Sequence, residues 1–163
     1  GGQGTGWMTH FHAVPETGDG IVILTNSQRS WPFIAFVLRD WANWKGLSPL
    51  GMTRIIWGEY VLWVVIGLLW FFALWQLWAV GEALKCGERR LAPLSKEHYR
   101  LRLVQSSLGI ILVALLMWCS TRDYLFITSV FPLASTWLAI STFLFAVVLI
   151  LSALCPKSEA EPS

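Results

Sequence analysis

The sequence predicts a mixed fold: a β-hairpin and a helix from an α+β domain, followed by an α-helical membrane domain with three transmembrane helices. The first observation is composition, since the 163 residues are 55% hydrophobic and only 13% charged. A mean hydropathy of +0.57 is too high for a soluble domain of this length. The second is its distribution, because the apolar excess lies after residue 55. The third is that the chain before residue 55 has strand-like and helix-like segments separated by turn residues.

Two segments near the start predict the hairpin. Trp7–Val14 and Ile21–Thr25 are rich in aromatic and β-branched residues, and residues 15–20 between them contain proline, glycine and aspartate. Residues 21–24 are apolar at every position, which is typical of a strand covered on both faces. We therefore expect β-structure that belongs to a larger domain.

A helix is predicted at Trp31–Lys45, with Ser30 as its N-cap, because apolar residues recur there at helical spacing. Residues 46–51 have the glycine and proline of a linker. A hairpin and one helix are too small to bury a core of their own. Since the chain also opens on Gly1 and not on methionine, we expect it to be a fragment whose domain continues upstream.

Three later segments are long and apolar enough to cross a membrane. Tyr60–Val80 has no charged residue and lies between Glu59 and Glu82, and about 20 apolar residues are needed for a helical span. Leu103–Cys119 predicts the second span, and a segment starting at the helix-compatible Pro132 predicts the third. The expected division is a hydrolase-like piece over 1–45, a linker and juxtamembrane lead-in over 46–59, the membrane domain over 60–155 and a disordered tail over 156–163.

The loop between the first two spans predicts the orientation in the membrane. By the positive-inside rule it is cytoplasmic. Residues 1–51 are then extracytoplasmic, and the protein is a multi-pass protein of the cell membrane with the lipid bilayer as a partner. The basic residues that support this are Lys85, Arg89, Arg90, Lys96, Arg100 and Arg102.

Several classes of function are disfavoured by the residues that the chain contains. A net charge of +2 without a basic stripe gives no nucleic-acid surface. No Asp, Glu, Lys, Arg or His lies within a predicted span, which argues against a transporter. The polar groups within the spans are expected to hydrogen-bond between helices. They are Gln76, Gln105, Ser106 and Ser107.

The sequence predicts no metal site and no cofactor. Cys86, Cys119 and Cys155 show neither metal-ligand nor disulfide spacing. His10 and His12 share one face of a strand, as a pair of ligands would, but no third ligand follows. We therefore interpret the histidines as part of a polar or interfacial face.

The run Gly1-Gly2-Gln3-Gly4-Thr5-Gly6-Trp7, then Val14-Pro15-Glu16, then residues 20–26 ending in Asn26, resembles the C-terminal end of serine hydrolases of the β-lactamase and penicillin-binding-protein superfamily. The class C β-lactamase and esterase-like branch is the most similar. That family has a Lys-Thr-Gly or His-x-Gly motif on the strand that lines its active site, followed by a glycine-rich bend, an aromatic residue, a Pro-Glu turn and a strand ending in asparagine. The resemblance covers roughly residues 1–45.

The resemblance implies roles for three residues. Gly1 and Gly2 match the second and third motif positions, where the absence of a Cβ lets a substrate backbone approach. The backbone N–H of Gln3 would then belong to the oxyanion hole. The alternative is that these glycines only shape a tight bend. Arg29 could meet a substrate carboxylate, but a solvated surface charge is the preferred interpretation.

The function implied by the resemblance is acyl transfer or hydrolysis through a serine ester, with a Ser-x-x-Lys nucleophile upstream. The substrate would be a β-lactam, a D-amino-acid peptide or a simple ester. The residues do not separate these, and they leave the oligomeric state open. The fragment alone should be inactive, since it lacks a serine with a neighbouring base. The rival hypothesis is a catalytically inactive penicillin-binding-like sensor or scaffold with a membrane anchor.

Overall fold

The computed structural model describes residues 1–87, 99–122 and 125–155. It has a mixed architecture with a small antiparallel sheet and helices, as the sequence predicts. The elements in chain order are β1 (Gly2–Gly4), β2 (Trp7–Val14), β3 (Asp19–Thr25), α1 (Trp31–Lys45), α2 (Thr53–Lys85), α3 (Tyr99–Ser120), α4 (Phe126–Val130) and α5 (Pro132–Leu154). The basic loop over 88–98 and the tail over 156–163 lie outside the described residues.

The chain divides into two compact units. The first comprises Gly1–Trp63 and Tyr124–Thr136, and the second comprises Val64–Asp123 and Trp137–Ser163. The sheet, α1, α4 and the start of α2 therefore belong to the first unit. Most of each long helix belongs to the second unit.

The sheet has the strand order β1-β2-β3, with antiparallel pairing throughout. The predicted hairpin is confirmed: β2 has the expected bounds, and β3 begins two residues earlier, at Asp19. Its turn closes through Gly18, which has a φ of +73° and donates its N–H to the Val14 carbonyl at 3.0 Å. β1 adds a third strand on the far side of β2.

One face of the sheet packs against α1. The buried cluster consists of Met8 and Ile23 from the sheet and Ile34 and Leu38 from the helix. Strand alternation places apolar residues of β2 and β3 on this face, and positions four apart on α1 meet them.

Two contacts at the edge of this layer hold the hairpin to α1. The His12 ring lies edge-on to Trp41 at a centroid distance of 5.9 Å. Lys45 Nζ lies 2.7 Å from Asp19 Oδ1. Hydrogen bonds from Lys45 and then from Thr17 lower the pKa of Asp19 below its ordinary value.

The other face of the sheet has no cover among the described residues. Phe11, Val22 and Leu24 are 64%, 70% and 74% exposed. Phe11 pairs with Val22 across the strands, so these side chains stand together on the side away from α1. In the described chain β3 is therefore an edge strand with one uncovered face, and its cover by a larger domain stays a prediction.

Helix α1 has the predicted bounds, but Ser30 does not cap it with its side chain. Pro32 follows in the first turn and has no N–H to donate, and the Ser30 hydroxyl donates instead to the Ser27 carbonyl at 2.9 Å. The helix ends at Gly46, whose φ of +67° lets its N–H and that of Leu47 return to the last carbonyls.

Three helices of the described chain are long and apolar enough to cross a membrane: α2 with 33 residues, α3 with 22 and α5 with 23. This confirms the predicted number of spanning helices. Helix α2 begins at Thr53, so most of the predicted lead-in is continuous with the first span. Helix α5 begins at Pro132, as predicted, because proline suits the first helical position.

The first unit also brings α4 next to α1 and to the start of α2. The Ser129 hydroxyl of α4 donates to the Gln28 carbonyl at 3.4 Å, just before α1. A Cβ on Gly58 of α2 would lie 2.9 Å from the Phe131 ring, which follows α4. Residues 126–131 therefore pack beside α1 and α2 within this unit.

In the second unit, α3 and α5 approach closely at Gly109. A Cβ there would lie 2.7 Å from Ile150 Cγ1 and 3.0 Å from the Ala146 carbonyl oxygen. Small residues at such contacts bring helix backbones together in membranes. The Arg102 Nε–H also donates to the Ala153 carbonyl at 2.7 Å, near the end of α5.

The polar groups within the spans do not bond as predicted. The Ser106 hydroxyl donates to the Arg102 carbonyl at 2.8 Å, and the Ser107 hydroxyl donates to the Val104 carbonyl at 3.1 Å, so both bond within α3. Gln76 and Gln105 form no hydrogen bond with any described residue. The expected bonds between helices are therefore absent from the described part of these spans.

Candidate functional site

The candidate site lies along β1, at one edge of the sheet. Gln3 is the middle residue of this strand, opposite Met8 of β2, and its side chain is exposed. In the described chain β1 pairs only with β2, and an edge strand presents unpaired N–H and C=O groups on its other side. The strand can therefore offer backbone hydrogen bonds to an extended ligand.

A short turn connects β1 to β2 and fixes their register. Gly6 has a φ of +87°, a conformation that glycine adopts without strain. The pairing that follows sets Gly2 opposite Thr9. The Gly2 N–H donates to Thr9 Oγ1 at 3.2 Å, and the Thr9 hydroxyl donates to the Gly2 carbonyl oxygen at 3.4 Å.

Gly1 and the glycines of β1 are not equivalent in the space that surrounds them. A Cβ on Gly1 would collide with the Thr9 carbonyl oxygen, and one on Gly4 would lie 2.6 Å from Trp7 Nε1. A Cβ on Gly2 would meet the Trp7 ring at an ordinary 3.7 Å. The space beside Gly1 is therefore occupied by β2, so close strand packing is sufficient to require glycine there.

The three residues assigned by resemblance lie in one cleft of about 340 Å³, which contains no serine among its described lining residues. Gly1, Gly2 and Gln3 form one wall. The other lining residues are Met8, Thr9, His10, Trp31 and Met52. The sequence did not assign His10, Trp31 or Met52 to this site, because only the register of β1 on β2 and the packing of α1 bring them there.

Two of the added residues give the cleft its chemistry. Burial lowers the pKa of His10, and His12 lowers it further, so a neutral imidazole is favoured. The Trp31 Nε1–H is buried and has no hydrogen-bond partner among the described residues. The cleft thus combines backbone groups of β1 with the neutral His10 imidazole and the Trp31 N–H donor. This arrangement suits binding of a polar, uncharged carbonyl group.

His10 and His12 lie on the same face of β2, as strand alternation predicts. The His12 ring packs against Trp41, and Met8 on the same face is in the core. Within residues 1–87, 99–122 and 125–155, no group of three or more histidine, cysteine, aspartate or glutamate residues could hold a metal ion.

Arg29 lies just before α1 and is exposed. Its backbone N–H donates to Ser27 Oγ at 3.2 Å. It is not among the residues that line the cleft, so the structure does not bring it together with Gly1, Gly2 and Gln3.

Comparison with family models, curated proteins and solved structures finds no match to this chain.

Proposed function

We propose that this chain is the C-terminal part of a membrane-anchored serine hydrolase related to β-lactamases and penicillin-binding proteins. The observation that carries the proposal is the ordered series of a glycine-rich strand, a Pro15-Glu16 turn, a strand ending before Asn26 and a following helix. The exposed edge of β1 and the adjoining cleft support it, because a hydrolase of this kind needs an accessible strand beside its substrate.

In the proposed reaction, a serine of an upstream Ser-x-x-Lys motif attacks the carbonyl carbon of the substrate. The serine oxygen bonds to that carbon, the carbon's bond to the leaving nitrogen or oxygen breaks, and the serine proton passes to the leaving atom, which stays tethered when the substrate is a β-lactam. Water later hydrolyses the serine ester. The backbone N–H of Gln3 donates to the oxyanion that develops on the substrate carbonyl. Gly1 and Gly2 form the strand along which the substrate lies. The substrate is a β-lactam, a D-amino-acid peptide or a simple ester.

The spanning helices anchor the hydrolase to the cell membrane, with residues 1–52 on the extracytoplasmic face. The basic residues between the first two spans support this orientation by the positive-inside rule. The packing of α4 against α1 fits three spans, because the segment between α3 and α5 and residues 1–52 would then lie on the same side of the membrane.

The proposal is tested on the full-length protein, meaning the longer chain that includes the proposed nucleophile. Gln3→Ala keeps the backbone donor, so acylation by a fluorophosphonate or a labelled penicillin should change little. Gln3→Pro removes the donor, and the loss of one oxyanion-hole hydrogen bond typically slows turnover by about 10²- to 10³-fold. The measurement is the acylation rate of each variant after thermal melting has shown that both are folded, since proline can disturb a strand.

Equal rates for folded Gln3→Pro and Gln3→Ala would place the oxyanion hole elsewhere and remove the assigned role of Gln3. A full-length protein that is folded, has no Ser-x-x-Lys motif and is not labelled would contradict the hydrolase and favour the sensor or scaffold. The chain of 163 residues alone should remain unlabelled in the same assay. Its labelling at one of its own serines would show that the nucleophile has been misassigned.

A further inference from the structure

Helix α2 has two parallel rows of side chains, of which the described residues cover only one. Ile66, Ala73 and Val80 recur every seven residues and are 4%, 5% and 7% exposed. Val65 and Phe72 lie one residue earlier and are 40% and 45% exposed. Ala79 continues this second row and is also exposed. Seven-residue spacing is the pattern with which one helix packs along another.

Gln76 lies between the two rows, borders the exposed one and is half-buried. It lines a groove of about 350 Å³ together with Phe72, Trp75 and Ala79 of α2 and Phe145 of α5. Its amide forms no hydrogen bond with any described residue. Lipid chains offer no partner to an amide, so a group in this position is stabilised by bonding to another protein chain.

We propose that α2 pairs with α2 of a second copy of this chain, along the row formed by Val65, Phe72 and Ala79. A second copy fits the observations because a primary amide is both a donor and an acceptor. Two copies inserted with the same orientation are related by a two-fold axis along the membrane normal, and their Gln76 side chains then face each other and exchange hydrogen bonds.

The side chains around Gln76 fit such a contact. Ala79 is small and lies one turn further along the same side, where it lets a second backbone approach. Phe72, one turn before Gln76, fills space between the helices. A single polar residue in an otherwise apolar row also fixes the register of two helices, because any slip leaves the amide unpaired.

The test uses the whole chain in lipid vesicles, with donor and acceptor fluorophores on the exposed Cys86 after the other two cysteines have been replaced by alanine. Energy transfer is measured while the protein is diluted with lipid. Gln76→Leu should weaken association roughly fivefold to thirtyfold, the effect of losing an interhelical hydrogen bond. Gln76→Asn keeps an amide and should retain association close to that of the unchanged protein.

Gln105→Leu is the matched control, since Gln105 is also an amide without a described partner but lies on α3. It should leave association within about twofold. Circular dichroism checks that each variant keeps its helices. Energy transfer at the level of random mixing in the unchanged protein would overturn the proposal. So would equal association of Gln76→Leu and the unchanged protein, or an equal loss in Gln105→Leu.

Discussion

The two compact units bury their side chains by different rules. In the first unit, alternate residues of a strand are buried, as Ile23 is, while its neighbour Leu24 is exposed. In the second, apolar residues occupy buried and exposed positions of the long helices alike: Ala73 is buried, while its neighbour Phe72 is 45% exposed. Hydrophobicity therefore identifies the elements in both units, but it identifies the buried face in neither.

The difference arises from the solvent that each unit meets. Exposed apolar residues on a sheet face in water indicate a missing cover, because apolar surface is stabilised by removal from water. The same residues on a spanning helix need no cover, because lipid chains are as apolar as they are. Close approach between spanning helices depends on small residues such as Gly109.

The largest expected effect separates the two faces of β3. Ile23→Ala removes a side chain from the core and should lower the free energy of unfolding by about 2 to 5 kcal/mol. Leu24→Ala, one residue later on the uncovered face, should change it by about 0.5 kcal/mol or less. Hydrogen exchange of β2 and β3 in the whole chain measures both variants. A loss for Leu24→Ala as large as that for Ile23→Ala would show that the outer face is covered.

Much of the fold could be predicted from the sequence because its signals are local. The bounds of β2 and α1 follow from turn residues and from helical spacing, and the start of α5 follows from Pro132. The edge position of β3 could not be predicted, because a run of four apolar residues does not show which strands pair with it. Whether a strand is central or at an edge depends on long-range pairing.

The candidate site could be predicted only along β1. Gly1, Gly2 and Gln3 were identified because they are consecutive and match a motif. His10 and Trp31 were not, since their presence in the cleft depends on the strand register and on how α1 packs. The hydroxyl bonds of Ser106 and Ser107 within α3 were also missed, because a serine in a span can bond to its own helix or to another.

The next effect compares one substitution at two positions of the spanning helices. Gly109→Ala puts a methyl group against Ile150 and the Ala146 carbonyl, and overpacking of this kind typically costs about 1 to 3 kcal/mol. Gly67→Ala meets nothing within 4 Å and should stabilise α2 by up to about 1 kcal/mol, because alanine is the better helix former. Thermal melting in one detergent measures both. A change of the same sign and size in the two variants would contradict the close contact of α3 with α5.

The smallest expected effect concerns His10, which lies on the sheet face that packs against α1 and lines the candidate cleft. Its pKa is lowered by burial and then by His12, so between the folded pKa and the ordinary value of 6.5 the folded protein binds fewer protons than the unfolded one. The contribution of His10 to stability is therefore present above that value and is lost as the pH falls through the folded pKa.

Thermal melting of the unchanged protein between about pH 5 and pH 8 should show this decline, and His10→Gln should flatten it. His12→Gln removes a weaker cause than burial and should keep most of the dependence. If His10→Gln left the pH profile unchanged, the decline would come from other groups. The pH dependence of stability would then give no support for a neutral His10 imidazole in the cleft. The two units would differ only in how they bury apolar side chains.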